Sequence, residues 1–174
     1  MSWLTRRQRD GGLDPIRLPA EVRGALWLCG KHAIGPDPHA LIAEVGSAAT
    51  VVCLNERTEL LDRYPDYVTW LDDPATAAVW FPIPDLDAPP LDAMAGFVED
   101  LAGRLREGES LVVHCAAGKG RSGTIAVCVL LALGVALEES LLQVAGDRPG
   151  AGPEVGAQRE LVEQMANRRR RSTR

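Results

Sequence analysis

Cys115 and Arg121 stand at the two ends of a Gly-rich stretch, Ala116-Ala117-Gly118-Lys119-Gly120. The apolar run Leu111-Val112-Val113 before it reads as a buried strand, and Ile125 to Leu133 after it as an apolar helix. Strand, tight loop and helix together form an anion cradle. Backbone N–H groups in such a loop curl into a concave nest, and the positive end of the helix macrodipole points at the same place. A phosphate fits there. A thiol at the start of the cradle is a nucleophile once ionised, and a helix N-terminus and a nearby cation favour the thiolate. The guanidinium at its end can grip two phosphate oxygens and hold the phosphorus in line, which an ammonium does poorly. Gly118, Gly120 and Gly123 let the backbone approach closely where a Cβ would resist.

The run His114-Cys115-Ala116-Ala117-Gly118-Lys119-Gly120-Arg121-Ser122-Gly123 resembles the signature loop of the cysteine-dependent protein phosphatases: His-Cys, five residues, Arg, then Ser or Thr. Gly-Lys-Gly before the Arg is similar to the dual-specificity phosphatases and their lipid-directed relatives. The resemblance implies an α/β fold, a central mostly parallel sheet of about four to five strands flanked by helices. It also implies hydrolysis of phosphomonoesters through a phosphocysteine intermediate, with no metal and no cofactor. In that scheme Cys115 attacks, and Arg121 binds the phosphate with the amides of Ala116, Ala117, Gly118, Lys119 and Gly120. Ser122 donates a hydrogen bond to the departing thiolate, and His114 fixes the loop and tunes the thiol. A nucleotide P-loop needs Gly, four residues and Gly-Lys-Ser/Thr, which Gly118-Lys119-Gly120 does not supply. A buried Cys in a plain turn would explain neither Arg121 nor His114. A sulfur-transfer loop of the rhodanese type lacks the His-Cys, five, Arg-Ser pattern.

Displacing an ester oxygen is far easier when an acid protonates it, and the chain must supply that acid from elsewhere. Pro82-Ile83-Pro84-Asp85-Leu86-Asp87-Ala88-Pro89-Pro90 reads as a stiff loop between a strand at Ala78 to Ile83 and a helix from Leu91. Asp85 resembles the mobile-loop Asp of the superfamily, with Asp87 as its rival. Either Asp could instead only start a turn. The resemblance places Glu56 and Arg57 at the pocket rim and Gln158 beside the hydrolytic water; solvated helix positions are the alternative for all three.

Other elements serve this centre. Ala25 to Gly30 and Thr50 to Leu54 read as strands, with a helix from Pro38 to Val45 capped by Asp37 between them, a parallel crossover. Asn55 would cap a short helix through Asp62. Tyr67 to Leu71 fits strand or helix. Leu91, Met94, Val98, Leu101 and Leu105 recur at helical spacing up to Gly108. Further helices are expected at Glu138 to Ala145 and through Leu161, Val162 and Met165.

At 174 residues the chain suits one catalytic domain, 21–167, behind an extended or disordered lead-in, 1–20, and before a disordered basic tail, 168–174. The net charge of −5 combines five tail arginines with a body of −10 (14 basic and 24 acidic residues before position 168). An acidic body argues against a nucleic-acid reader. No apolar window reaches a membrane span of roughly 18 residues. Cys29, Cys53, Cys115 and Cys128 show neither metal-ligand spacing nor a disulfide framework, which fits a reducing, cytoplasmic setting. Cys53 could trap oxidised Cys115. The expected partner is a phosphorylated protein; Ala116 stands where lipid-directed loops carry a Lys.

Overall fold

The computed structural model describes residues 4–46 and 48–173. A five-stranded sheet runs through it in the order β1-β2-β5-β3-β4: β1 (Leu13–Ile16), β2 (Ala25–Gly30), β3 (Thr50–Cys53), β4 (Ala78–Trp80) and β5 (Ser110–Cys115). All neighbours are parallel except β1, which pairs antiparallel with β2. The expected sheet is therefore present. The central strand, β5, is the one that ends in Cys115. Parallel strands need both faces covered, and Leu111, Val112 and Val113 on β5 are fully buried.

One face carries α6 (Leu91–Glu107), α7 (Gly120–Ala132), α8 (Leu137–Asp147) and α9 (Gly156–Ser172). The other carries α2 (Lys31–Ile34), α3 (Pro38–Val45), α4 (Thr58–Leu61) and α5 (Pro65–Asp72). Helix α7 is apolar all round because it lies between the sheet and α6, α8 and α9. Helix α6 buries Met94, Val98, Leu101 and Leu105, then stops at Gly108, whose φ of 100° lets its amide reach back to the Arg104 and Leu105 carbonyls. Asp37 caps α3 by accepting from the Ala40 amide at 2.9 Å, with Pro38 in the first turn.

Several expectations are corrected. The lead-in is structured: α1 (Arg6–Asp10) is held by a reciprocal capping box between Thr5 and Gln8. Pro15 does not break β1, because an edge strand has no partner on its outer side and needs no donor there. The segment expected as a basic disordered tail continues α9 to Ser172, so the boundary at 167/168 falls inside a helix. Arginine is a good helix former, cations suit a helix C-terminus, and Arg168 pairs with Asp92 at 2.5 Å. Of the two alternatives for Tyr67 to Leu71, strand and helix, the helix is the one present, in α5, where the Tyr67 and Trp70 rings stack. Asn55 does not cap α4; its amide donates to Glu59 Oε1 at 2.9 Å. Cys53 packs in the apolar cluster of the face opposite that of Cys115, and all four thiols are free.

An ordered edge strand makes a stability prediction that a loose lead-in would not. Ile16 is 3% exposed against the core, so Ile16→Ala should cost about 2–4 kcal/mol in a denaturant titration. Leu4→Ala, at an exposed position, should stay within about 0.5 kcal/mol. Equal, negligible effects at both sites would contradict the packing of β1.

Candidate active site

The loop between β5 and α7 turns every one of its carbonyls outward, from Ala116 to Gly120. The Lys31 amide donates to Ala116 O at 3.1 Å. Arg148 Nη2 donates to Ala117 O at 2.9 Å and Arg148 Nε to Gly118 O at 2.6 Å. The Gly123 and Gly152 amides donate to Lys119 O at 2.8 and 3.2 Å, and Thr124 Oγ1 to Gly120 O at 2.7 Å. Among the described residues, the amides from Ala116 to Arg121 donate to no protein acceptor. Peptide planes held with their oxygens out present their N–H groups inward, the arrangement of an oxyanion nest. Gly118 is required twice over: its φ is +70°, and a Cβ there would lie 2.2 Å from the Cys29 carbonyl oxygen.

Arg121 closes the loop from the first turn of α7 and is 3% exposed. Its two terminal nitrogens bind the Glu59 carboxylate in a fork, Nη1 to Oε2 at 2.8 Å and Nη2 to Oε1 at 2.7 Å. Nη1 also donates to Ile83 O at 2.8 Å. The fork fixes the guanidinium plane and leaves Nε without a hydrogen-bond partner among the described residues. Burial works to raise the Glu59 carboxyl, but hydrogen bonds from Arg121 and the Glu56 amide, with the Arg121 charge, hold it below the usual carboxylate range.

His114, fully buried on β5, shares a 2.7 Å hydrogen bond between Nε2 and the Tyr67 hydroxyl. Burial drives its pKa down from 6.5 to about 4, so the ring is neutral at pH 7. Burial also pushes the Cys29, Cys53 and Cys128 thiols up to about 12, so they stay protonated. Cys115 is 3% exposed, at the end of β5 where the loop begins. Ser122 is fully buried, and its hydroxyl has no protein partner among the described residues.

Of the two loop carboxylates, Asp85 comes to the cradle: Oδ1 lies 3.2 Å from Arg121 Nη2, with the side chain largely in solvent. The turn presenting it is closed by the Asp87 amide donating to Pro84 O at 3.1 Å, and it forces Leu86 to a φ of +60°. Asp87 instead accepts from the adjacent Ala88 amide at 2.8 Å. Gln158 is not an exposed helical residue: it is 1% exposed, accepting from the Glu154 amide and donating to Asp87 O at 3.4 Å. A Cβ on Gly120 would lie 3.4 Å from its Oε1, so the amide sits against the loop. Arg57 is engaged elsewhere, forked to Asp72 and 4.8 Å from the Trp80 ring. Glu56 contributes its backbone amide, 2.7 Å from Glu59 Oε2.

Sequence reasoning missed Arg148, Glu59 and Tyr67 as parts of the site. Each acts through a partner far along the chain, and none belongs to a local motif. Among the described residues no group of three or more His, Cys, Asp or Glu is placed to hold a metal ion.

The family model PTP-SAK, Swiss Army Knife protein, DSP-PTPase phosphatase domain, matches residues 22–173. The chain belongs to this family. Its fold is similar to that of Tk-PTP in the active form, at 27% identity and a TM-score of 0.64, covering 89% of this chain and 97% of that one. It also superposes on kinase associated phosphatase with a TM-score of 0.74 at 18% identity, covering 91% and 96% of the two chains. Dual specificity protein phosphatase 1 of Arabidopsis thaliana is 44% identical over 57 residues, 32% of this chain and 29% of that protein. No helix among the described residues is long and apolar enough to cross a membrane.

The state of His114 sets a pH dependence. An imidazole whose pKa is 6.5 when unfolded and about 4 when folded lets the unfolded chain bind more protons between those values. Its contribution is full above pH 6.5 and is lost as pH falls toward 4. The size is roughly 3 kcal/mol. Urea titrations from pH 7 to 4 should show this decline, and His114→Gln should show a shallower one; parallel slopes would contradict a buried neutral ring.

Proposed function

We propose that the chain hydrolyses phosphomonoesters on proteins, phosphotyrosine and also phosphoserine and phosphothreonine, through a phosphocysteine intermediate, in the cytoplasm. The observation that carries this reading is the set of uncommitted amides from Ala116 to Arg121, ringed between a thiol and an oriented guanidinium. The phosphoryl oxygens take those amides and the Nε edge of Arg121, fixed donors that hold charge as it redistributes in the transition state. The Cys115 sulfur attacks in line: the S–P bond forms, the P–O ester bond breaks, and Asp85 gives its proton to the leaving oxygen. Water then attacks phosphorus, Asp85 takes the water's proton, and the S–P bond breaks to return thiolate and inorganic phosphate.

Other residues have supporting roles in this scheme. The unpartnered Ser122 hydroxyl is the donor for the departing thiolate. Glu59 and Tyr67 position Arg121 and His114. Asp85 is favoured over Asp87 because its carboxylate lies beside Arg121, whereas that of Asp87 is turned to its own loop. Gln158 would orient the water in this scheme, a role supported by its amide flanking both the loop and the turn that carries Asp85. A phosphoprotein-binding module without catalysis commonly lacks the Cys, the Arg or the acid, and this chain has all three.

Steady-state hydrolysis of an aryl phosphate and a less activated alkyl phosphate, with EDTA present, tests the mechanism. Wild type should turn over both; Cys115→Ser should fall to background. Asp85→Ala should lose on the order of 10²-fold on the alkyl ester and less on the aryl ester. Undiminished activity in Cys115→Ser would remove the nucleophile, and equal losses on both esters would remove Asp85 as acid.

A further inference from the structure

Glu154 stands against the phosphate loop and has no part in the scheme above. A Cβ on Gly120 would overlap Glu154 Oε2, so the carboxylate covers the Cα of a residue whose amide is among those left without a protein acceptor. The surroundings fix this position at two points. The Gly152 amide donates to Lys119 O at 3.2 Å, and the Glu154 amide donates at 2.9 Å to Oε1 of the buried Gln158. The charge, by contrast, is unanswered: Glu154 is exposed, and among the described residues no Lys or Arg lies within ion-pair distance of it. Both loop cations are directed elsewhere. Arg121 is forked to Glu59 with Asp85 at 3.2 Å, and the Lys119 side chain runs along Gly150, where a Cβ would lie 3.5 Å from Nζ. Gln158, which separates Glu154 from the turn of Asp87, is neutral.

An unpaired carboxylate against a phosphate cradle opposes the ligand that the cradle holds, because neighbouring anions repel unless a cation lies between them. With the protein's own cations engaged, the substrate is the remaining source of one. We propose that Glu154 is a specificity-determining residue that pairs with a Lys or Arg directly beside the phosphorylated residue, making the preferred substrate a phosphopeptide with a basic neighbour. This rests on the phosphatase reading above and specifies its substrate. The long stems of Lys and Arg let such a neighbour reach the carboxylate while the phosphate stays in the loop. The body of −10 attracts any basic peptide from a distance, but that attraction is general and is screened over about 8 Å in physiological salt. A contact at Glu154 is local, so replacing this one carboxylate separates the two effects.

Calorimetry on Cys115→Ser reads the preference without turnover, with two phosphotyrosyl peptides that carry either Lys or Gln on both sides of the phosphoresidue. The Lys peptide should bind about 2- to 5-fold more tightly, the scale of one exposed ion pair. Adding Glu154→Gln, which keeps the shape and removes the charge, should make the two peptides equal. Adding Glu154→Lys should reverse their order, which a merely structural role for Glu154 would not do. Glu163→Gln, the same change of charge at an exposed position of α9, should leave the preference intact. Equal affinities in the parent protein would overturn the proposal. A preference that survives Glu154→Gln, or that Glu163→Gln removes as fully, would also overturn it, since the general charge of the body would then be the cause. Wild type inert toward aryl phosphate would defeat the phosphatase reading separately, because the binding preference does not depend on turnover.

Discussion

A guanidinium 1% exposed, that of Arg148, dictates which way the peptide planes of the phosphate loop face. By donating to the Ala117 and Gly118 carbonyls it holds them outward and leaves the amides on the inner side. A buried cation is costly unless paired and fully hydrogen-bonded. Here Asp14 supplies the opposite charge at 2.7 Å, and the Gly12 and Leu28 carbonyls take further contacts at 3.3 and 3.4 Å. Four separate parts of the chain therefore converge on one side chain: the turn before β1, β1 itself, β2 and the loop from Cys115 to Arg121. The segment that composition marks as a loose lead-in is a component of the site.

A second layer of constraint acts on Arg121 and His114, to which the proposed mechanism gives roles. Glu59, itself fixed by Asn55 and the Glu56 amide, sets the plane of Arg121. Tyr67 sets the orientation of His114. These supports come from the segment after β3 and from α5, on the face opposite α7, so the central strand delivers Cys115 between two independently packed layers. Such bracing from both sides allows a loop of small residues to hold one conformation.

What the sequence discloses is what is encoded locally. The loop motif, the stripe of Met94, Val98, Leu101 and Leu105 on α6, the Asp37 cap and the strand that feeds Cys115 all carry their signal within a few neighbouring positions. Glu59 meets Arg121 across 62 residues, Tyr67 meets His114 across 47, and Arg148 meets Asp14 across 134. No periodicity reports such pairs. Gln158 misleads for the same reason, since helical polarity alone suggests solvent while the turn carrying Asp85 and Asp87 covers it. The arginines after Asn167 mislead through composition: a charge run without apolar residues suggests disorder, but arginine continues a helix already begun by Leu161, Val162 and Met165.

The inward-facing amides are the claim on which the rest depends, and an amide-resolved titration reads them directly. In 15N NMR spectra of the isotopically labelled Cys115→Ser protein, added tungstate should shift the amides of Ala116 to Arg121 together and saturably. Arg148→Met should weaken that binding at least about 10-fold while the protein remains folded. Shifts scattered over the surface, or binding indifferent to Arg148, would contradict a cradle built by holding its carbonyls outward.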